Sequence, residues 1–153
     1  MIEQGVDLIV GGHPHVVQPI RWYSRKGEGE KKSAMVAYSL GNFISGQTYP
    51  FTDGGIILKV VLEKNTDTYI RESDYFPVWR QKIWIAGKEK PLFRVLPIPK
   101  TGETTSSPAD QFGQVAWKAM QDYRIHVVGV MEGRVADNSN KAGEKSSAGQ
   151  TSN

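Results

Sequence analysis

Apolar residues in the first hundred positions come in short runs separated by glycine, proline and polar residues, a pattern typical of β-strands. Residues 56–63 form the clearest run, and residues 34–40 form a second one that is rich in β-formers. Leu8-Ile9-Val10 is continuously apolar, which predicts a short strand in a sheet covered on both faces. Further strands are predicted at residues 16–23, 69–75, 78–85 and 92–98. Pro77 is predicted to mark a bulge between two of these strands.

One segment has helical periodicity instead. Ser107 suits the N-cap position, Pro108 the first turn, and Asp110 completes a pattern like a capping box. Apolar residues then recur at helical spacing, at Phe112, Val115, Ala116, Ala119, Met120 and Tyr123. This stripe predicts a helix packed on the sheet. Residues 126–131 are predicted as a last extended segment, and Gly5 as the C-cap of a helix whose body lies upstream.

Composition narrows the class of protein. The chain has 153 residues, enough for one domain with a hydrophobic core, which we expect over residues 1–136. Residues 137–153 are polar and lack aromatic residues, so we expect a disordered tail. The charge of +3 is spread along the chain, which argues against a nucleic-acid partner, and the absence of cysteine excludes thiol ligands. The sequence contains no pattern of a signal peptide or membrane span.

The candidate chemistry lies in Gly12-His13-Pro14-His15, directly after the first predicted strand. Two imidazoles one residue apart can point towards a common cation, and neutral imidazole is a good ligand for zinc, iron and manganese. We expect Gly12 to let the backbone turn tightly and Pro14 to restrain it between the ligands. The alternative is that His13 and His15 are hydrogen-bonding residues of a surface loop, which is the commoner role for such a pair.

Two amides are candidates for support of this loop. Asn42 follows a strand-ending glycine, where its side chain can bind a substrate oxygen, hold a ligand imidazole, or cap its own turn. Gln18 can support the histidine loop or satisfy loop backbone. Asp53 is expected to precede the next strand rather than bind a metal, and His126 to be a structural or surface residue. No catalytic residue can be assigned from the sequence.

Two blocks of sequence carry a family resemblance. From Gly5 the chain reads Gly-Val-Asp-Leu-Ile-Val-Gly-Gly-His-Pro-His-Val-Val-Gln-Pro-Ile, and Tyr-Ser-Leu-Gly-Asn-Phe follows at residues 38–43. This pair resembles the poly-gamma-glutamate capsule biosynthesis (CapA-type) family, with its Gly-Ala-Asp-x-Val-x-Gly-x-His-Pro-His-Val-x-Gln-Pro and Tyr-Ser-Leu-Gly-Asn-Phe blocks. The resemblance is strongest over residues 2–62.

The resemblance implies an α/β (α+β) chain that forms the C-terminal part of a calcineurin-like metallophosphatase β-sandwich flanked by helices. In that superfamily a Gly-His-x-His segment supplies ligands of a two-metal centre, which makes His13 and His15 the expected metal residues and manganese, iron or zinc the expected ions. The family's earlier Asp, Asn-His and His blocks have no room here, because Met1 lies only twelve residues before His13. We therefore expect a fragment that cannot complete the site alone.

Three functional readings follow from the resemblance. The parent protein is expected to be a metal-dependent hydrolase or transferase acting on a cell-envelope polymer or phosphoester. The alternatives are a non-catalytic capsule-assembly protein that binds an anionic polymer, and an inactive truncated gene product. Expected partners are an anionic capsule or envelope polymer and capsule-synthesis membrane proteins, at the bacterial cell surface or elsewhere outside the cytoplasm.

Overall fold

The computed structural model describes residues 1–25, 33–99 and 113–134. Within these ranges the chain forms two three-stranded sheets and one long α-helix. The strands are β1 (Leu8–Val10), β2 (Ile20–Ser24), β3 (Ser33–Ala37), β4 (Gly54–Lys64), β5 (Thr68–Ile83) and β6 (Leu92–Pro97), and the helix is α1 (Gln114–Met131). The predicted mixed α/β class is confirmed, and the arrangement agrees with part of a β-sandwich flanked by helices.

The first sheet has the strand order β1-β3-β2, with β1 parallel and β2 antiparallel to β3. The central strand β3 is buried from Ala34 to Ala37, as its apolar sequence requires. The expectation that β1 is covered on both faces is not met among the described residues. There β1 is an edge strand, and Val10 at its end is 50% exposed.

The second sheet has the order β4-β5-β6 and is antiparallel throughout. The prediction of two strands separated by a bulge at Pro77 was wrong, because β5 runs unbroken through it and the register shift falls between Val61 and Leu62. Proline lacks a backbone N–H, but β4 does not need one at this position. Ile56, opposite Pro77 on β4, points its own N–H away from β5 and donates it to the Leu40 carbonyl. On the other side, the Pro77 carbonyl accepts from Ile98, just beyond the end of β6.

Helix α1 packs on the second sheet through Met120, Tyr123, Val127 and Val130, at spacings of three and four residues. The predicted helix is confirmed, but Val115 of the predicted stripe is 86% exposed. The extended segment predicted at residues 126–131 was wrong, since these residues are the last turns of α1. Burial of a valine side chain contributes about 1.5–3 kcal/mol, more than the few tenths that β-branching costs a helix.

Two helix ends were predicted from the sequence, the start of the long helix and a C-cap at Gly5. Gly113 is the N-cap of α1, with φ of 82°, and its predecessors are not described. The predicted start signal at Ser107, Pro108 and Asp110 lies outside the described residues, as do most of the connection between β2 and β3 and the tail predicted at residues 137–153. Gly5 does close a helical turn, a 3-10 turn at Ile2–Gln4, with left-handed φ of 96° as predicted for a C-cap.

The two sheets meet at a crossing of glycines. Gly41 pairs with Gly55 in an isolated bridge, and the Ile56 N–H donates to the Leu40 carbonyl at 2.9 Å. Gly41 has a left-handed φ of 72°, and a Cβ built on Gly55 would lie 2.7 Å from the Leu40 oxygen. This close approach positions Asn42 at the junction, where its N–H donates to the Gly54 carbonyl. No helix among the described residues is long and apolar enough to span a membrane.

Candidate functional site

The histidine loop leaves the end of β1 across the backbone of the neighbouring strand. The Gly11 N–H donates to the Ala37 carbonyl at 2.7 Å, and a Cβ on Gly11 would lie 2.2 Å from the Tyr38 oxygen. A Cβ on Gly12 would meet no atom within 4 Å, and Gly12 does not have a positive φ. The tight approach therefore requires glycine at Gly11 rather than at Gly12, whose place in the site stays a prediction.

His13 and His15 both have left-handed backbone, with φ of 87° and 62°. Such values are uncommon outside glycine and cost on the order of 1–3 kcal/mol each. Both side chains are exposed, so burial does not compensate this cost. Backbone strain at two alternate positions of an exposed loop is typical of functional sites, where the direction of the side chains matters more than local stability.

The spacing of the two imidazole rings fits a shared cation. Their centroids lie 6.0 Å apart and their planes are inclined by 43°. With metal–nitrogen bonds of about 2.1 Å, two rings on one ion place their centroids roughly 5–6.5 Å apart, depending on the bond angle. Among the described residues no group of three or more His, Asp or Glu side chains could hold an ion. The metal role of His13 and His15 therefore stays a prediction, and an ion there would find no third ligand of these types among the described residues.

Asn42 is the residue that the fold brings to this loop. The His15 Nδ1 and Asn42 Oδ1 atoms are 3.0 Å apart, across 27 positions of sequence. The Asn42 Nδ2 donates to the Thr52 carbonyl at 2.9 Å and to the Gln47 Oε1 at 3.0 Å. Of the roles considered for Asn42, the structure has the contact with an imidazole, while the capping of its own turn is not among its described hydrogen bonds.

Gln18 does not join this network. Its backbone N–H donates to the Ser39 carbonyl at 3.0 Å, which holds the segment after the histidines against the end of β3. Its side chain is partly buried and makes no hydrogen bond with the described residues. The roles expected for its amide therefore have no contact to support them here, and Gln18 as a site residue stays a prediction.

Arg80, Gln47 and Thr52 are site-supporting residues that sequence reasoning missed. Arg80 is only 5% exposed, its Nη2 donates to the Gln47 carbonyl at 2.8 Å, and its guanidinium lies 5.3 Å from the Phe93 ring centroid. The buried Nε has no hydrogen-bond acceptor in the part of the chain that the structure describes. Nothing in a strand sequence marks one arginine as buried, so only the tertiary structure could reveal that Arg80 holds the Asn42 loop.

The far end of the same loop contacts α1. Asp53 immediately precedes β4, as expected, and its Oδ2 accepts from the Trp79 Nε1 at 2.8 Å. His126 stacks on Phe51, with ring centroids 3.7 Å apart, and its buried Nε2 has no hydrogen-bond partner within residues 1–25, 33–99 and 113–134. Of the two roles expected for His126, structural or surface residue, the structure has the structural one. Burial lowers the pKa of its imidazole.

Stability is expected to fall in mild acid because of His126. Its pKa is lower in the folded chain than the ordinary value of 6.5, so the unfolded chain binds more protons as the pH drops below that value. Denaturant unfolding between pH 8 and pH 5 should show this loss. In His126→Gln the slope of the unfolding free energy against pH should be smaller. An unchanged slope in the variant would show that other groups cause the acid sensitivity.

Comparison with known proteins finds one family model that resembles the start of the chain. Residues 1–47 match the model described as "Bacterial capsule synthesis protein PGA_cap". This segment is therefore similar to capsule synthesis proteins of the CapA type. The matched residues include His13, His15 and Asn42, so the family segment coincides with the three side chains that the structure brings together.

Curated relatives agree with this assignment. The chain is 32% identical over 103 residues to "PGA biosynthesis protein CapA" of Bacillus subtilis (strain 168), which covers 63% of this chain and 24% of that protein. It is 35% identical over 65 residues to "Capsule biosynthesis protein CapA" of Bacillus anthracis, covering 42% of this chain and 14% of that protein. The chain thus spans about a quarter or less of these relatives. No solved structure matches.

Proposed function

We propose that this chain supplies the two-histidine part of a divalent-metal site in a capsule synthesis protein that hydrolyses or transfers a cell-envelope polymer or phosphoester. One observation carries the proposal: His13 and His15 are held in left-handed backbone with ring centroids 6.0 Å apart. Manganese, iron or zinc suits imidazole ligands. Such an ion, completed by ligands from elsewhere, would polarise an oxyanion and activate a water. The role of this chain's own residues would be to bind the ion through His13 and His15 and to orient these two imidazoles.

A second candidate is a non-catalytic capsule-assembly role in which the same surface binds an anionic polymer. The loop that follows Asn42 favours it, because Phe43, Ile44 and Tyr49 are exposed there and Asn42 itself contacts His15. An apolar rim next to two imidazoles suits a polymer with an apolar backbone and charged groups. An inactive truncated product is the third reading, and it predicts neither cation nor polymer binding.

The proposed location also follows from the family. A capsule synthesis protein is expected to be associated with the cell envelope. We therefore place the parent protein at the cell surface or otherwise outside the cytoplasm, in contact with capsule-synthesis membrane proteins and with the polymer itself. Fractionation of the native host should recover the protein with the envelope, and recovery in the cytoplasm would contradict this placement.

Cation binding by the full chain tests the metal role. Titration with Mn²⁺ or Zn²⁺, followed by calorimetry, should show binding that weakens at least about tenfold in the double variant His13→Ala/His15→Ala, since both ligands are lost. His126→Gln is the matched control, because it removes a histidine that stacks on Phe51 rather than one of the paired imidazoles, and its affinity should equal that of the wild type.

Each reading has its own outcome in this experiment. Cation affinity that is the same in the double variant would overturn the metal role of His13 and His15. Poly-glutamate binding that persists in the double variant, without turnover of model phosphoesters by the wild type, would support the assembly role. Absence of both activities in a folded chain would leave the inactive reading.

A further inference from the structure

We infer that Asn42 is a positioning residue that holds His15 as its Nδ1–H tautomer and so leaves Nε2 as the nitrogen with the free lone pair. The cation-binding side of this inference rests on the proposed function, whereas the tautomer does not depend on it. The inference follows from three hydrogen bonds on one amide and from the chemistry of the groups that make them.

The orientation of the Asn42 amide is decided by a backbone carbonyl. A carbonyl oxygen only accepts hydrogen bonds, so the amide atom 2.9 Å from the Thr52 oxygen must be the NH₂ nitrogen. The Gln47 Oε1 accepts from the same nitrogen at 3.0 Å. Rotating the amide by 180° would place two oxygens against each other at Thr52. The Asn42 Oδ1 is therefore the atom that faces His15.

The orientation of the amide in turn decides the protonation of His15. Since Oδ1 has no hydrogen to donate, the His15 Nδ1 at 3.0 Å must carry the proton. In the neutral ring this leaves Nε2 unprotonated. The His15 Nε2 makes no hydrogen bond with the described residues, and the side chain is exposed. His15 is thus prepared to bind a cation through Nε2 without first changing tautomer.

The second sheet holds this arrangement from behind. Arg80 on β5 donates to the Gln47 carbonyl at 2.8 Å, and the Arg80 N–H donates to the Asp53 carbonyl at 2.7 Å. Gln47 and Asp53, which lie on either side of Thr52 in the loop, are therefore both attached to Arg80. Because Arg80 is 5% exposed, this attachment is shielded from water. A charged hydrogen bond is stronger in such a shielded place than in water.

The tautomer can be observed directly in the cation-free chain. Long-range ¹H–¹⁵N NMR of the full ¹⁵N-labelled protein at pH 8 distinguishes the protonated from the unprotonated ring nitrogen of each histidine. In the wild type the Nδ1–H tautomer of His15 should exceed the Nε2–H tautomer at least about tenfold, a ratio that one hydrogen bond can maintain. Asn42→Ala should shift it to the Nε2–H form that exposed histidines favour.

The controls separate positioning from general loss of structure. Asn65→Ala makes the same substitution in an exposed turn and should leave His15 unchanged. If Asn42→Ala does not fold, the wild-type spectrum still decides. Nε2–H in wild-type His15, or Nδ1–H persisting in folded Asn42→Ala, would overturn the inference. Nδ1–H in a chain that binds no Mn²⁺ or Zn²⁺ would uphold it and contradict the proposed function instead.

Discussion

Gly55→Ala is expected to lower the free energy of unfolding by about 2–3 kcal/mol, the range typical of overpacking in a tight interior. The added Cβ would lie 2.7 Å from the Leu40 oxygen and 2.8 Å from the Asn42 oxygen. Both are backbone atoms, so no change of rotamer can relieve the contact. The two sheets would have to separate at the Gly41–Gly55 bridge. Urea unfolding followed by circular dichroism measures the loss.

Gly46→Ala is the matched control. Gly46 lies in the loop that precedes β4, has no positive φ, and a Cβ there would meet no atom within 4 Å. Its substitution should change stability by no more than about 0.5 kcal/mol. Equal effects of the two variants would show that the glycine crossing does not constrain the packing of the sheets. Gly55→Ala should also weaken the His15–Asn42 contact, because Asn42 follows that crossing directly.

Tyr123→Ala is expected to have the larger effect, a loss of about 3–5 kcal/mol, as for other buried aromatic residues truncated to alanine. Tyr123 is 2% exposed and belongs to the core between α1 and the second sheet. Its ring lies directly on Gly54, where a Cβ would be 2.7 Å from the ring atoms. The backbone of β4 fits closely against this ring, so the space left by alanine cannot readily close.

Tyr123→Phe separates the ring from its hydroxyl. The hydroxyl is buried without a hydrogen-bond partner among the described residues, and burial, with a smaller effect of the Asp53 charge, raises its pKa far above the ordinary value. Removing it should leave stability unchanged or slightly increased, because no hydrogen bond is lost. A loss comparable with that of Tyr123→Ala would mean that the hydroxyl has a partner in solution. Val115→Ala, exposed on the same helix, should be nearly neutral.

Several elements of the fold could be predicted from the sequence because the patterns that specify them are local. The apolar residues of β3 and the run in β4 were sufficient to predict strands, and the stripe through Met120 and Tyr123 was sufficient to predict a helix. The interpretation of residues 126–131 failed because β-branched residues favour a strand locally. Burial against the sheet outweighs that preference, and a single sequence does not show burial directly.

The candidate site divides in the same way. The sequence by itself determined the similarity to a capsule synthesis family, the placement of His13 and His15 after a strand, and the interest of Asn42, because these depend on residue identities in two short blocks. Only the tertiary structure decided that Asn42 meets His15, that Thr52 and Gln47 orient its amide, and that Arg80 holds their loop. These contacts join residues far apart in sequence, and the close approach of two backbones at Gly55 that makes them possible is a property of the packed sheets alone.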